Sequence, residues 1–349
     1  MLKSTIGDVA KKAKVSKTTV SRYLNGKYEY MSKKTKDTIQ KVIEELDYRP
    51  SNTARSLKSQ RSRAIGCAIA DITNPFSTYI LKGINDVCKK NGYQMLFVNT
   101  DNNKQNEIES IQSLLDNKLD GLIVNTTGYN DDYLVDIHKH GMPLVMADRC
   151  LKNKFLLDTI TTENYHSTFD CIRFLQKQGY TKIAFFTQEL GQISSRYLRH
   201  NAYLDAVAKL FSSDGNQDTY IVDISKLNVC RRNLKSLKDN SPDNEIAIFT
   251  ENGVTLMNVL TAMKEEGYIP GTDFGICGFD DWGWASLIPP GITTITQDSY
   301  TTGVMCAELL IKRIEKGNSN KKVFKELSPK LIVRGSTNPN TKRKETGYC

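Results

Sequence analysis

The 349-residue chain has little of what metal binding and catalysis usually require. Its four histidines, His138, His140, His166 and His200, show no ligand spacing, because residues two apart on a helix point to different faces. Its eight cysteines stand singly, without the C-x-x-C pairs of zinc and redox motifs, and read as reduced, mostly buried thiols of a cytoplasmic protein. No apolar run approaches the roughly 18 residues of a membrane span, and the amino-terminal residues lack the apolar stretch of a signal peptide. A cytoplasmic location without membrane contact is the expectation. There is no G-x-S-x-G elbow, no P-loop and no G-x-G-x-x-G after the first predicted strand, so the common hydrolase, nucleoside-triphosphate and dinucleotide signatures are missing. Neither enzymatic activity nor a cofactor is expected. Asp280 and Asp281 could be imagined as an acid/base pair, but adjacent carboxylates in a loop more readily divide between ligand contact and loop structure.

Positive charge is present but confined. Residues 1–62 hold 15 Lys/Arg against 6 Asp/Glu, a net of +9, while the remainder balances at 33 basic and 33 acidic residues. A basic amino-terminal unit on a neutral body suits a module that binds phosphates, because neutralising them releases counterions.

Within that unit, Ile6, Val9, Ala10 and Ala13 follow the spacing of one helix face, with Thr5 and Asp8 placed as a capping box. Ser16 can cap a second helix in which Val20 and Leu24 bury while Lys17, Thr18, Ser21, Arg22 and Asn25 stay polar. A third helix is signalled by Ser32 as cap and by Thr35, Ile39, Val42, Ile43 and Leu46, ending before Pro50. Three short helices around so small a core predict a helix-turn-helix domain over residues 1–50. The second helix is polar because its outer side faces a partner, and a helix of that width fits the major groove. Lys17 and Arg22 can donate to guanine and Thr18 can meet a base edge or a thymine methyl, while Ser16, Ser21 and Asn25 can reach phosphates. Residues 51–62, SNTARSLKSQRS, read as a basic linker able to fold conditionally.

From Ala64 onward, short apolar runs alternate with helical patterns, in the order AIGCAIADI, QMLFVN, GLIVN and PLVMA; after a long helix at 164–178 come KIAFF, TYIVDI, EIAIF and FGICGF. The expected fold is therefore an α helix-turn-helix headpiece followed by an α/β core of two doubly wound parallel-sheet subdomains, with a ligand cleft at the carboxyl ends of the strands.

DVAKKAKVSKTTVSRYLNG, the later LDYRPSNTARSLK and the α/β pair together resemble the LacI/GalR family of bacterial transcription regulators over essentially the whole chain. The resemblance implies a periplasmic-binding-protein-like core. It divides the chain into a hinge at 51–62, an N-subdomain at 63–162 and 294–325, a C-subdomain at 163–293 and 326–337, and a polar tail at 338–349. It also implies base reading by Lys17, Thr18 and Arg22, and backbone contacts by Thr5, Ser16, Ser21, Asn25 and Ser32. Leu57 falls on the hinge leucine that wedges into the minor groove, with Lys58 beside it on the backbone; the alternative is that Leu57 packs on the body. Lys14 stands where many members have a turn glycine.

The same resemblance implies effector contacts by Phe76 in ITNPFSTY, Asp148 and Arg149 in MADR, Arg199 in RHNAY, Asn252 in TENG, Asp280 in GFDD and Gln297 in TTITQD. RHNAY departs from the family's R-x-x-G-aromatic in having Ala202. Arg149, Arg196 and Arg199 near one cleft would make it positive, so a sugar acid or sugar phosphate is expected over a neutral sugar. GFDDWGWASLIPPGITTITQDSY resembles regulators of ketodeoxygluconate and uronate use; Trp282 and Trp284 there could wall a sugar ring or simply pack. The expected protein is a homodimeric, effector-controlled repressor on a pseudo-palindromic operator of double-stranded DNA. The absence of a leucine-heptad tail favours a dimer over a tetramer. The rival is a sugar-binding or sugar-converting α/β protein with a basic appendage.

Overall fold

The computed structural model describes residues 4–29, 31–48, 61–241, 245–317 and 321–338. Leu57 and Lys58, with most of the hinge and the tail beyond 338, lie outside the described residues. The chain forms two compact units, Met1–Arg63 and Ala64–Cys349.

In the first unit, each expected cap is made. The Thr5 hydroxyl accepts from the Asp8 backbone N–H at 3.3 Å, and the Asp8 carboxylate accepts from the Thr5 N–H at 2.8 Å, opening α1 (Ile6–Lys12). Ser16 Oγ accepts from the Thr19 N–H at 3.0 Å to open α2 (Lys17–Leu24), and Ser32 Oγ from the Thr35 N–H at 3.2 Å to open α3 (Lys33–Glu45). These bonds satisfy donors that the first helical turn leaves free. Val9, Val20 and Ile39 are fully buried between the three helices, and Tyr48 closes the core from beyond α3. Lys14 takes the left-handed conformation at φ 54° in the turn between α1 and α2.

The second unit holds two six-stranded sheets. The first contains β1 (Ala64–Ile69), β2 (Gln94–Asn99), β3 (Gly121–Val124), β4 (Leu144–Ala147), β5 (Asp158–Thr162) and β11 (Phe324–Leu327), all parallel, in the order β11-β5-β4-β3-β1-β2. The second contains β6 (Lys182–Thr187), β7 (Thr219–Ile221), β8 (Ile246–Thr250), β9 (Gly275–Phe279), β10 (Thr293–Thr296) and β12 (Lys330–Ile332), in the order β12-β10-β9-β8-β6-β7. Only β12 runs antiparallel there. Helices α4 (Pro75–Lys90), α5 (Lys104–Leu115), α6 (Asp131–Lys139) and α11 (Ser299–Lys316) belong to the first half. Helices α7 (Tyr165–Lys177), α8 (Ser194–Phe211), α9 (Leu227–Asp239) and α10 (Gly253–Glu266) belong to the second. The central strands are buried on both faces, as parallel sheets require.

The chain passes between the sheets three times, after β5, after β10 and after β11. The boundaries expected at 293/294 and 325/326 each cut through a strand. Thr293 pairs with Cys277, and the whole of β10 joins the second sheet before the chain crosses; Phe324–Leu327 pairs entirely with β5 in the first. β5, β10, β11, β12 and α9 had no counterpart in the strands and helices read from the sequence, and two of them show why. β5 is threonine-rich, and Thr161 is buried because its hydroxyl donates to the Asp148 carbonyl. α9 is basic overall, yet buries Cys230, Leu234 and Leu237 at helical spacing.

Candidate functional site

The first unit presents α2 as a polar face on a small core. Val20 is its one fully buried side chain, whereas Lys17, Thr18 and Arg22 are exposed. Ser21 is half-buried and Asn25 exposed, its amide donating to the Ser21 carbonyl at 2.7 Å. The Arg22 side chain makes no hydrogen bond or ion pair among the described residues, which leaves its planar fork free for the O6 and N7 of a guanine. Thr5, Ser16 and Ser32 stand exposed at the positive ends of three helices, where phosphate oxygens are favoured. All three hydroxyls are already helix caps in the free protein, so a backbone contact would be added to an existing structural role.

In the second unit, one cavity at the carboxyl ends of the strands gathers all eight expected effector residues. Phe76 comes from the start of α4, and Asp148 and Arg149 directly follow β4. Arg196 and Arg199 lie on α8, Asn252 caps α10, and Asp280 and Gln297 follow β9 and β10. Helix α8 is continuous through Ala202, which is fully buried, so the missing family glycine leaves no break.

Most of the polar groups here hold one another. Arg199, 3% exposed, donates from Nε to Asn164 Oδ1 at 2.8 Å, from Nη1 to the Glu251 carbonyl at 2.6 Å and from Nη2 to Gln297 Oε1 at 3.1 Å, with its guanidinium 3.5 Å from the Phe279 ring centroid. Asp280 accepts from Gln297 Nε2 at 2.6 Å and from the Gly253 N–H at 3.1 Å. Arg196 donates to the Glu189 carbonyl at 2.6 Å and to Gln188 Oε1, and faces Glu251 at 3.4 Å. Arg149 uses only Nη1, toward Asn102 Oδ1 at 2.8 Å and the Thr126 carbonyl at 2.9 Å. Asp148 has Asn125 Nδ2 at 3.5 Å from Oδ2, while its buried Oδ1 has no partner.

Burial dominates the titration of these groups. It pushes Asp148 up to about 6, partly offset by Arg199 and Arg149, with Asp280 adding repulsion. Burial likewise raises Glu251 and Asp280 and lowers Arg199. Arg149 falls to about 10, first through burial and then through the neighbouring positive charge of Arg196.

This geometry corrects one expectation and decides one open alternative. The cavity is not a positive pocket, because Asp71, Asp148, Glu251 and Asp280 line it with the three arginines. Glu251 was missed although TENG follows a strand end, the position that selected its neighbour Asn252; it is 1% exposed. Gln188, Asn102 and Asn125 were also missed, each lying past the end of a strand, where the open-sheet rule would have placed them. The tryptophans do not wall the cavity. Trp282 packs on the apolar cluster of the first sheet and over Gly253, where an added Cβ would lie 2.5 Å from its ring, and Trp284 packs in the second-sheet core. Phe76 and Val254 supply the apolar lining instead. Among the described residues no group of His, Cys, Asp and Glu is arranged to hold a metal ion, and no helix is long and apolar enough to cross a membrane.

A small helix-turn-helix unit with an outward polar helix, followed by a two-sheet core with a polar cleft, defines a DNA-binding regulator with a ligand pocket. Residues 5–51 match the family model of bacterial regulatory proteins, lacI family, and residues 172–337 match the periplasmic binding protein-like domain. The chain belongs to the LacI family of DNA-binding transcription regulators. It is 38% identical over 333 residues to the HTH-type transcriptional regulator KdgR of Bacillus subtilis, covering 95% of this chain and 97% of that protein. It is 33% identical over 335 residues to the HTH-type transcriptional regulator PtxS of Pseudomonas putida, covering 96% of each. The fold is also that of the lac repressor dimer bound to operator and the anti-inducer ONPF, with a TM-score of 0.81 at 22% identity over 96% of this chain and 99% of that one. The protein is a transcription regulator and not an enzyme.

Proposed function

We propose that this regulator is a cytoplasmic homodimer that represses genes of sugar or sugar-acid use and is controlled by an anionic sugar, a sugar acid or sugar phosphate, bound in the cleft between its two α/β halves. In this reading Lys17, Thr18 and Arg22 read bases, and Thr5, Ser16, Ser21, Asn25 and Ser32 hold phosphates. Leu57 wedges into the central base step with Lys58 beside it, from a hinge at 51–62 that folds when two copies meet over DNA. Repression follows most simply, since a protein seated on a promoter blocks polymerase without further machinery.

The observation that carries the DNA-binding part is the exposed Arg22, its side chain without a partner among the described residues, on a helix within residues 1–62, which hold the chain's entire net charge. The ligand part is supported by Arg149, whose Nε and Nη2 have no partner among the described residues and whose buried charge an anion would relieve. The similarity of the 278–300 region to regulators of sugar-acid use points the same way. Dimerisation is supported by apolar side chains exposed on the outer strands of both sheets: Phe97 on β2, Ile221 on β7, and the nearby Ile224 and Met257, each 39–48% exposed.

Selection of bound sequences from random duplex DNA tests the first part, with a symmetric motif expected. Calorimetry against neutral sugars, sugar acids and sugar phosphates tests the second, and a neutral sugar that binds far tighter than every anion would overturn it.

A further inference from the structure

At the amino-terminal ends of the strands of the first sheet, the opposite ends from the cleft, a lysine and a histidine meet. His138 lies near the end of α6 and Lys322 just before β11; both are half-buried, with Lys322 Nζ 2.5 Å from His138 Nε2. The other ring nitrogen, Nδ1, lies 3.1 Å from the Met142 carbonyl. A carbonyl can only accept, so Nδ1 carries the ring proton and Nε2 presents its lone pair to the lysine. The lysine is held from both sides. The Lys321 carbonyl accepts from Arg313 Nη2 at 3.0 Å and the Val323 N–H donates to Asp158 Oδ1 at 2.7 Å, so the buried Arg313–Asp158 pair grips both residues that flank it.

No carboxylate pairs with Lys322 among the described residues: Asp158, whose negative charge reaches it, spends both oxygens on Arg313 and the Val323 N–H. Burial lowers the pKa of the Lys322 ammonium; Asp158 opposes this and Arg313 reinforces it. Burial also lowers His138, then the charge of Lys322 does, with Arg313 acting in the same direction against the Met142 carbonyl and Asp158. The imidazole is therefore neutral at about pH 7 and free to take a proton, and the amine gives one up more readily than an exposed lysine does.

We propose that Lys322 is an acylation site, with His138 as its base and a small acyl phosphate as the donor. The ammonium gives its first proton to His138 Nε2, which passes it to water. The neutral amine then attacks the carbonyl carbon of the donor. A C–N bond forms, and the C–O bond to phosphate breaks with its electron pair on the phosphate oxygen. Phosphate takes the second proton from the nitrogen, so the products are the Lys322 amide and inorganic phosphate. Charge selects the donor, because Lys139 and Lys321, both exposed, adjoin His138 and Lys322 in the chain and draw an anion to this end of the sheet. Acylation removes the charge of Lys322 from beside Arg313 but leaves one N–H on Nζ, which still donates to His138 Nε2.

The full-length protein is incubated separately with acetyl phosphate and with acetyl-coenzyme A, a thioester, and acylation of each lysine is followed by peptide mass spectrometry. Lys322 is expected to react with acetyl phosphate about tenfold or more faster than the exposed Lys139 and Lys325, and its rate to level off at lower pH than theirs. In His138→Gln the side-chain oxygen can still accept from Lys322 but cannot carry the proton onward. The Lys322 rate should then fall by about tenfold relative to Lys325 in the same molecule. A Lys322 rate no greater than that of the exposed lysines would overturn the inference, as would equal Lys322 rates in wild type and His138→Gln. Faster acylation of Lys322 by the thioester than by acetyl phosphate would overturn the donor assigned here.

Discussion

Asp148 and Asp280 occupy the same place in the two sheets. Each follows the third strand of its sheet, β4 or β9, and each adopts a left-handed backbone, at φ 66° and 74°. Each donates its N–H to the neighbouring second strand, Asp148 to the Ile160 carbonyl at 2.8 Å and Asp280 to the Ile295 carbonyl at 2.9 Å. The cleft is thus built from one turn used twice, with a buried carboxylate on each side. Left-handed backbone at two non-glycine residues is strain of the kind that persists where function uses it.

Stability should depend on pH through Asp148. Its carboxyl is raised to about 6 in the folded protein by burial, so between the unfolded value near 4 and about 6 the folded state holds more protons. The core should therefore gain stability as pH falls through that window and lose it as pH rises, by up to about 3 kcal/mol for a two-unit shift. Glu251 and Asp280, raised in the same direction, add to the slope. Melting curves at several pH values should show a shallower dependence for Asp148→Asn than for wild type.

The return strand β11 should depend on one buried ion pair. Arg313 grips Asp158 through Nε and Nη2, both at 2.8 Å, and Asp158 Oδ1 also accepts from the Val323 N–H at 2.7 Å. Asp158→Ala strands a buried guanidinium and should cost about 3–5 kcal/mol in denaturant unfolding. Replacing the pair together should cost less than that single change.

Lys14→Gly should stabilise the first unit by about 0.5–1 kcal/mol. Lys14 holds φ 54°, which costs an L side chain but not glycine, and part of the gain is offset by the freer unfolded chain. Thermal unfolding of the full chain, followed by a probe in residues 4–48, would read it.

Arg22→Ala should remove about 1–3 kcal/mol of discrimination at one base pair of the operator. Equal loss on operator and random DNA, measured at fixed salt, would show a phosphate contact instead.

Much of this was legible in the sequence because the signals were local. Thr5, Ser16 and Ser32 each announce a cap within three residues, and strands such as GLIVN are continuous apolar runs. The eight expected effector residues came from the family resemblance, and they converge on one cavity because most of them follow a strand end or open a helix at that end of the sheets. What stayed hidden was decided at longer range. The threonines of β5 give no strand pattern until their hydroxyls find partners such as the Asp148 carbonyl. The expected positive cleft failed because charge was counted on arginines alone, although Glu251 follows the end of β8 directly beside Asn252 and lines the same cavity.

The most direct test is the affinity of the full-length protein for its selected operator, measured by anisotropy at fixed salt with and without the best-binding anionic sugar, on wild type and Arg149→Lys. The predicted result is a shift of about tenfold or more in wild type that is largely lost in Arg149→Lys. An operator affinity indifferent to every compound that occupies the cleft would contradict the account.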